Sequence, residues 1–252
     1  MGHKPAAFCL LFAATVLILA AGPPYTTDDT ETPRRRGWEI NLPIVLARSK
    51  AMRQAQIPLF DLNFGLTDNF QLDLEIPVYR VSRPGQAAAT GLGDVMVGIK
   101  WRFLEESKNR PQVAFYPQVC LPTGNAGKGL GAGKACYIFP VSAEKNWGKW
   151  TAYANVGYAV QKAAGASNYF YYGAVVTREI TKGLEIGAEI FANAAALAGT
   201  APQDGFNIGA ELQISRSLVL LASAGRAFHG AGTFQAYIGI QILTGSNRKS
   251  RT

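Results

Sequence analysis

The sequence predicts an all-β protein, a transmembrane antiparallel up-and-down β-barrel of about twelve strands that follows an N-terminal signal peptide. Three observations predict it. An apolar leader opens the chain, apolar and polar residues alternate from Gly37 onward, and aromatic residues sort to the ends of the alternating segments. Composition agrees, with 48% hydrophobic and only 17% charged residues, 27 glycines and 10 tyrosines; a soluble domain carries about 25% charged residues. A disordered chain and a Lys/Glu-rich helical bundle are thereby excluded. The formal net charge of +8 suits anionic lipid or lipopolysaccharide. The basic residues are scattered over many segments, so no nucleic-acid partner is read from them.

The leader comes first. Lys4 precedes a run, Ala6 to Gly22, that has no charge, Thr15 as its only polar side chain, and Ala20, Ala21 and Gly22 at its end. This reads as a signal peptide over residues 1–22, cleaved near Ala20 to Gly22. The alternative is an uncleaved anchor, because the run is close to the lower limit of about 17 residues for a spanning helix. Cys9 precedes the apolar core, so no lipid-attachment cysteine stands at the cleavage zone. Residues 23–36 carry Asp28, Asp29 and Glu31 and then Arg34, Arg35 and Arg36, and form a periplasmic segment or a plug.

The barrel proper is expected over residues 37–243. In 70–78, Phe70, Leu72, Leu74, Ile76 and Val78 share one face, opposite Gln71, Asp73, Glu75 and Pro77. In 94–103, Val95, Val97, Ile99, Trp101 and Phe103 oppose Asp94, Met96, Gly98, Lys100 and Arg102; 206–214 repeats the pattern. The strands expected are 38–46, 57–64, 70–78, 94–103, 112–121, 134–144, 150–160, 169–177, 184–192, 205–214, 218–227 and 233–242. Most have the roughly nine to eleven residues that a tilted strand needs to cross a bilayer. Connections 65–69, 145–149, 179–183 and 215–217 are short, as periplasmic turns are, while 47–56, 79–93, 123–133 and 194–204 are longer, as outer loops are. Residues 104–111 are long for a turn and 228–232 short for a loop. A basic tail, 244–252, ends the chain.

Aromatics check the threading. Trp38, Phe64, Phe70, Trp101, Phe103 and Trp150 fall on the apolar face at the periplasmic ends, and Tyr137, Tyr158, Phe170, Tyr172, Phe206 and Phe234 toward the outer ends. Amphipathic rings favour the headgroup zones, so these are two girdles. Gly98, Gly157, Gly173, Gly187, Gly209, Gly225 and Gly239 all take the polar-face parity. A one-sided set means tight curvature or room cleared inside the barrel, and curvature is the simpler account.

Six stretches in order, Tyr25-Thr-Thr-Asp-Asp-Thr30, Gly37-Trp-Glu-Ile40, Gly65-Leu-Thr-Asp-Asn69, Gly91-Leu-Gly-Asp94 leading to Lys100-Trp-Arg-Phe103, Leu121-Pro-Thr-Gly124 and Gly129-Leu-Gly-Ala-Gly-Lys134, carry a resemblance. They resemble the outer-membrane transporter family associated with the meta pathway of phenol degradation, over nearly the whole mature chain. The resemblance implies a barrel in the bacterial outer membrane, in contact with lipid and lipopolysaccharide and delivered by barrel-assembly machinery. Uptake of aromatic or other hydrophobic small molecules is the association, and no catalytic residues carry over. One departure stands: such barrels usually end on an aromatic residue, whereas here the last strand reaches Ile242 and Leu243.

No enzyme is read from the chain. The mature part has one histidine, His229, in a short loop, with Ser223 six positions before it; a hydrolytic site needs a base aligned on its nucleophile. Cys120, Cys136 and His229 lack metal-ligand spacing. The run Gly124 to Gly133 lacks the ending and strand-to-helix context of a phosphate loop and reads as a flexible outer loop. No cofactor is expected.

Two functions remain. The first is a channel or transporter for small molecules, with lumen-facing Asp61, Asp73, Glu75, Lys100 and Arg102 as a binding site or constriction. If Phe64 pairs with Phe70, Asp61 lies opposite Asp73, and Lys100 and Arg102 are at hand to offset their repulsion; a salt-bridged wall filling the lumen is the plain alternative. The second is a closed structural or surface-interaction barrel without conduction, blocked by side chains or by residues 23–36 folded inward. Cys120 and Cys136 share the polar face, each eight positions from Lys128. They are either cross-strand partners in a disulfide or a reduced pair of small residues. An exported chain meets oxidants, and closing a loop of about 15 residues is worth at most about 3 kcal/mol.

Overall fold

A computed structural model describes residues 22–196, 200–229 and 233–245. The expected signal peptide therefore lies outside the described residues apart from Gly22, as does the expected basic tail beyond Gly245. Among the described residues, fourteen strands form one antiparallel sheet: β1 (Trp38–Arg48), β2 (Arg53–Thr67), β3 (Phe70–Ser82), β4 (Ala89–Leu92), β5 (Val95–Leu104), β6 (Gln112–Phe115), β7 (Gln118–Leu121), β8 (Cys136–Trp147), β9 (Trp150–Gln161), β10 (Tyr169–Thr181), β11 (Leu184–Asn193), β12 (Gln203–Ser215), β13 (Leu218–His229) and β14 (Phe234–Leu243). β4 and β5 both pair with β3 and make one stave; β6 and β7 both lie between β5 and β8 and make another. The result is a closed barrel of twelve staves.

Closure is a direct seam. β1 pairs with β14 from Glu39↔Leu243 to Arg48↔Phe234, so the sheet closes on itself as a barrel. Alternation follows the sequence pattern with the environment inverted relative to a soluble protein. On β5, Ile99 is 45% exposed on the outer surface while Lys100 is 4% exposed inside. Apolar side chains outside and polar ones inside are what a bilayer demands of a closed sheet. Both girdles form on the outer surface, where Trp38 packs on Phe64 and Phe70 stacks on Trp101 at one end, and Tyr158 meets Phe170 at the other.

The structure corrects four local expectations. β2 begins at Arg53 and β1 runs to Arg48, so the expected 47–56 loop shrinks to four residues; likewise β3 runs to Ser82 and β4 starts at Ala89. Beyond the bilayer both faces of a strand are wet, and the alternation that marks strands in sequence fades there. Second, Phe64 pairs with Leu72 and Thr67 with Phe70, so Asp61 faces Glu75, not Asp73, which faces Asn63. The turn is tighter than assumed, and the register slips by two. Third, two staves are interrupted: Gly93-Asp94 separates β4 from β5, and Tyr116-Pro117 separates β6 from β7. Proline offers no N–H to the ladder, and register shifts also fall around Pro43 and Pro58. Fourth, the glycine-rich loop is tied down. Asp94 accepts hydrogen bonds from the Gly124 and Ala132 amides at 2.9 and 2.7 Å, and Leu130 is buried against Met52, Tyr79 and Val81. A Cβ on Gly131 would lie 2.3 Å from Asp94 Oδ1, so glycine permits this approach.

Candidate functional site: the barrel lumen

The lumen is built by the inward residues of alternating strands. Asp61 on β2 accepts from Asn41 Nδ2 at 2.9 Å and from Asn63 Nδ2 at 2.6 Å, and Gln71 donates to Asn63. Asp73 on β3 accepts from the Tyr116 hydroxyl at 2.6 Å. Lys100 and Arg102 stand on β5, beside these carboxylates, but their ion pairs go elsewhere. Lys100 Nζ lies 3.0 Å from Asp28 Oδ1 and 3.4 Å from Asp29 Oδ1. Arg102 lies 3.4 Å from Glu31 and 3.1 Å from Glu105, and donates to the Asp68 carbonyl at 2.7 Å. All five expected lumen residues are therefore inside and buried. The two cations bind the N-terminal segment and the adjoining turns in place of Asp61 and Asp73.

That segment runs through the lumen. Tyr25, Thr27, Asp28 and Thr30 are each no more than 3% exposed. Glu189 on β11 accepts the Thr26 and Thr27 amides, and Glu144 on β8 accepts the Thr30 amide and hydroxyl at 3.3 and 3.0 Å. The Ser223 hydroxyl of β13 donates to the Pro24 carbonyl. The chain then leaves at the short-turn mouth, where the Arg35 amide donates to Asp68 and the Arg36 amide to the Gly65 carbonyl before β1 begins. The lumen glycines acquire a reason here. A Cβ on Gly173 would sit 2.0 Å from Thr27 Oγ1, and one on Gly187 2.6 Å from Tyr25 Oη. At these two positions glycine clears room for the segment, a better account than curvature.

Sequence reasoning missed the acceptors Glu144 and Glu189. Both take lumen parity within strands, which was the available signal; what they bind lies 114 to 163 positions away and leaves no local trace. Cys120 and Cys136 form a cross-strand pair with Cα atoms 4.9 Å apart and are joined by a disulfide at the base of the glycine-rich loop. His229 ends β13, exposed, with Nδ1 2.9 Å from Asp204 Oδ1, whereas Ser223 is buried in the lumen. These two are not brought together. Among the described residues, no group of three or more His, Cys, Asp or Glu side chains is arranged to hold a metal ion.

Between the segment and the short-turn mouth lies a cavity of about 1000 Å³. Its lining includes Asp28, Asp61, Glu75, Lys100, Arg102 and Tyr116. Above it, Tyr25, Tyr153 and Val175 pack together, as do Val45, Leu59, Val219, Leu221 and Tyr237.

A closed antiparallel sheet with a lipid-facing apolar band, two aromatic girdles and a polar interior defines the class: a β-barrel of the bacterial outer membrane. Within that class, the chain belongs to the family described as "Putative MetA-pathway of phenol degradation", whose model matches residues 37–244. Among solved structures it is similar to an outer membrane channel from Pseudomonas putida F1, at 12% identity and a TM-score of 0.69, with 86% of this chain and 98% of that one covered. The NanC porin gives 7% identity and a TM-score of 0.57, with 81% and 98% covered. The translocator domain of the autotransporter NalP from Neisseria meningitidis gives 10% and 0.55, with 82% and 87% covered. At these identities the likeness is one of fold. A search of curated proteins by sequence finds no match.

Proposed function

We propose that this barrel is a channel for small molecules across the outer membrane and that residues 23–36 are its plug. The observation that carries the reading is the polar cavity of about 1000 Å³ inside a closed barrel, open at the short-turn mouth and bounded by Gly22, Pro23 and Asp28 of the N-terminal segment. A wall built only for stability has no need of such a space, since side chains fill the interior of narrow barrels. The family description names phenol degradation, and Tyr25, Tyr79, Tyr116, Tyr153, Tyr169 and Tyr237 are buried; both support small aromatic solutes as cargo. A conduit in place of a catalyst is supported by the separation of His229 from Ser223. On this reading the outer girdle meets lipopolysaccharide, and barrel-assembly machinery inserts the chain.

Single-channel recording in planar bilayers tests this with the full-length protein and a form lacking residues 23–36. The truncated form should conduct more. No current from either form rejects the channel and leaves a closed structural or surface-interaction barrel.

A further inference from the structure

Four arginines stand in one row on the outward face of the barrel, at the end away from the short-turn mouth. Arg226 on β13 pairs with Phe234 on β14, Phe234 with Arg48 on β1, and Arg48 with Arg53 on β2. Arg53 pairs in turn with Ser82 on β3, and Arg80 lies two positions back on the same face of that strand. All four side chains are exposed, while their chain neighbours Ala47, Gln54, Val81 and Ala227 are buried inside. Leu46 and Ile238 share the outward face, 40% and 63% exposed. The row therefore borders the lipid-facing apolar band.

The chain supplies this row with no counterion. Among the described residues none of the four arginines takes part in an ion pair. The three connections beyond the row, 49–52, 83–88 and 230–233, contain no Asp or Glu and add Lys50 and Arg83. The carboxylate on the neighbouring β12, Asp204, is held by His229 Nδ1 at 2.9 Å. Arg48 and Arg53 are direct cross-strand neighbours, and like charges so placed destabilise a sheet unless an anion lies between them. The cationic character is also confined to one arc. The corresponding ends of β8, β9 and β10 present Tyr137, Tyr158, Phe170 and Tyr172 outward, with no Lys or Arg beside them in the strands.

Adjacent strands lie about 4.8 Å apart, so from β13 to β3 the row spans about 19 Å. That is broader than one phosphate and fits a head group that carries several. Arginine grips phosphate through two N–H groups at once, and at headgroup level a cation on the lipid face costs little. We infer that this arc binds lipopolysaccharide of the outer leaflet. The phosphates of its lipid anchor are held by Arg48, Arg53, Arg80 and Arg226, and its acyl chains lie along the apolar band that includes Leu46 and Ile238. This rests on the reading that the rim opposite the short turns faces the cell exterior, and it turns a general contact with lipopolysaccharide into a defined site.

The test is native mass spectrometry of the folded full-length barrel in neutral detergent with a chelator present, titrated with bisphosphorylated lipid A, its dephosphorylated form, or phosphatidylglycerol. Wild type and the charge-matched control Lys128→Gln, Lys134→Gln, Lys162→Gln, three exposed cations off the row, should bind lipid A alike. The triple variant Arg48→Gln, Arg53→Gln, Arg226→Gln should bind it about tenfold more weakly, and dephosphorylated lipid A should bind wild type comparably weakly. Heat-modifiable gel migration verifies folding, and the single variant Arg48→Gln is read if the triple variant does not fold. No binding to wild type, equal binding to the arginine variants, or equal binding of the dephosphorylated form overturns the inference. Phosphatidylglycerol bound as tightly as lipid A overturns the assignment to lipopolysaccharide. Sidedness is read separately: Lys50→Cys, in the turn beside the row, should react with a membrane-impermeant maleimide in intact cells. Reaction only after lysis rejects the placement of the rim and the inference with it. Reaction in intact cells, with no discrimination among the lipids, rejects the site alone.

Discussion

Replacing Lys100 with Met should release the N-terminal segment. Lys100 and Asp28 are both almost wholly buried, their side chains 6% and 1% exposed, and 3.0 Å apart. Removing one partner of a buried ion pair costs about 3–5 kcal/mol because the other charge is stranded. Asp28 can take up a proton and limit that loss, which argues for the lower end. About 3 kcal/mol corresponds to about a hundredfold shift in the ratio of seated to released segment. The assay is the open fraction in planar bilayers, where Lys100→Met should move the full-length protein toward the behaviour of the form lacking residues 23–36. In the truncated form the same substitution should add little, because the partner it strands is gone. If Lys100→Met leaves the full-length record unchanged while truncation opens it, the ion pair does not hold the segment. Anchorage would then reside in Glu144 and Glu189.

Gly173→Val puts side-chain atoms where Thr27 Oγ1 lies and should raise conductance in the full-length protein with little effect after truncation. Ile238→Lys, on a residue 63% exposed midway along β14, should cost about 2–4 kcal/mol in urea unfolding from lipid vesicles. For Glu106, in the connection after β5, burial opposes the charge, but hydrogen bonds from Asn146 and Lys145 hold the carboxyl below its usual value of 4.5. Its contribution is full above that value and disappears as pH falls through the lower folded one, so Glu106→Gln should flatten the acid limb of the stability profile. Neither Cys120 nor Cys136 should label with a thiol reagent under denaturing, non-reducing conditions, and the double Ser variant should lose at most about 3 kcal/mol.

The staves were legible because a bilayer imposes a strict period of two: from Gln71 to Tyr79, each odd position is buried and each even one is not. The lumen residues followed from the same parity. Pairing was less legible, since Asp61↔Glu75 depends on a turn closing at Thr67 and Phe70, and parity is unchanged by a slip of two. The partners that Lys100 and Arg102 find in the N-terminal segment were not legible at all. They lie 71 or 72 residues earlier, in a stretch with no alternation, and their acids and arginines read equally well as a solvated tail. Gly173 and Gly187 were visible as a pattern, but their reason is the shape of Tyr25 and Thr27, which only three dimensions supply.

The segment inside the barrel belongs to the same chain as the wall, joined to it by the few residues between Thr30 and Trp38. It is thus a tethered ligand, present at an effective concentration on the order of millimolar however dilute the protein is. Any free molecule that uses the same carboxylates must compete against that fixed concentration. The occupancy of such a lumen is set by solute chemistry and tether length together, and lengthening the tether around Pro33 would tune it without changing a single wall residue.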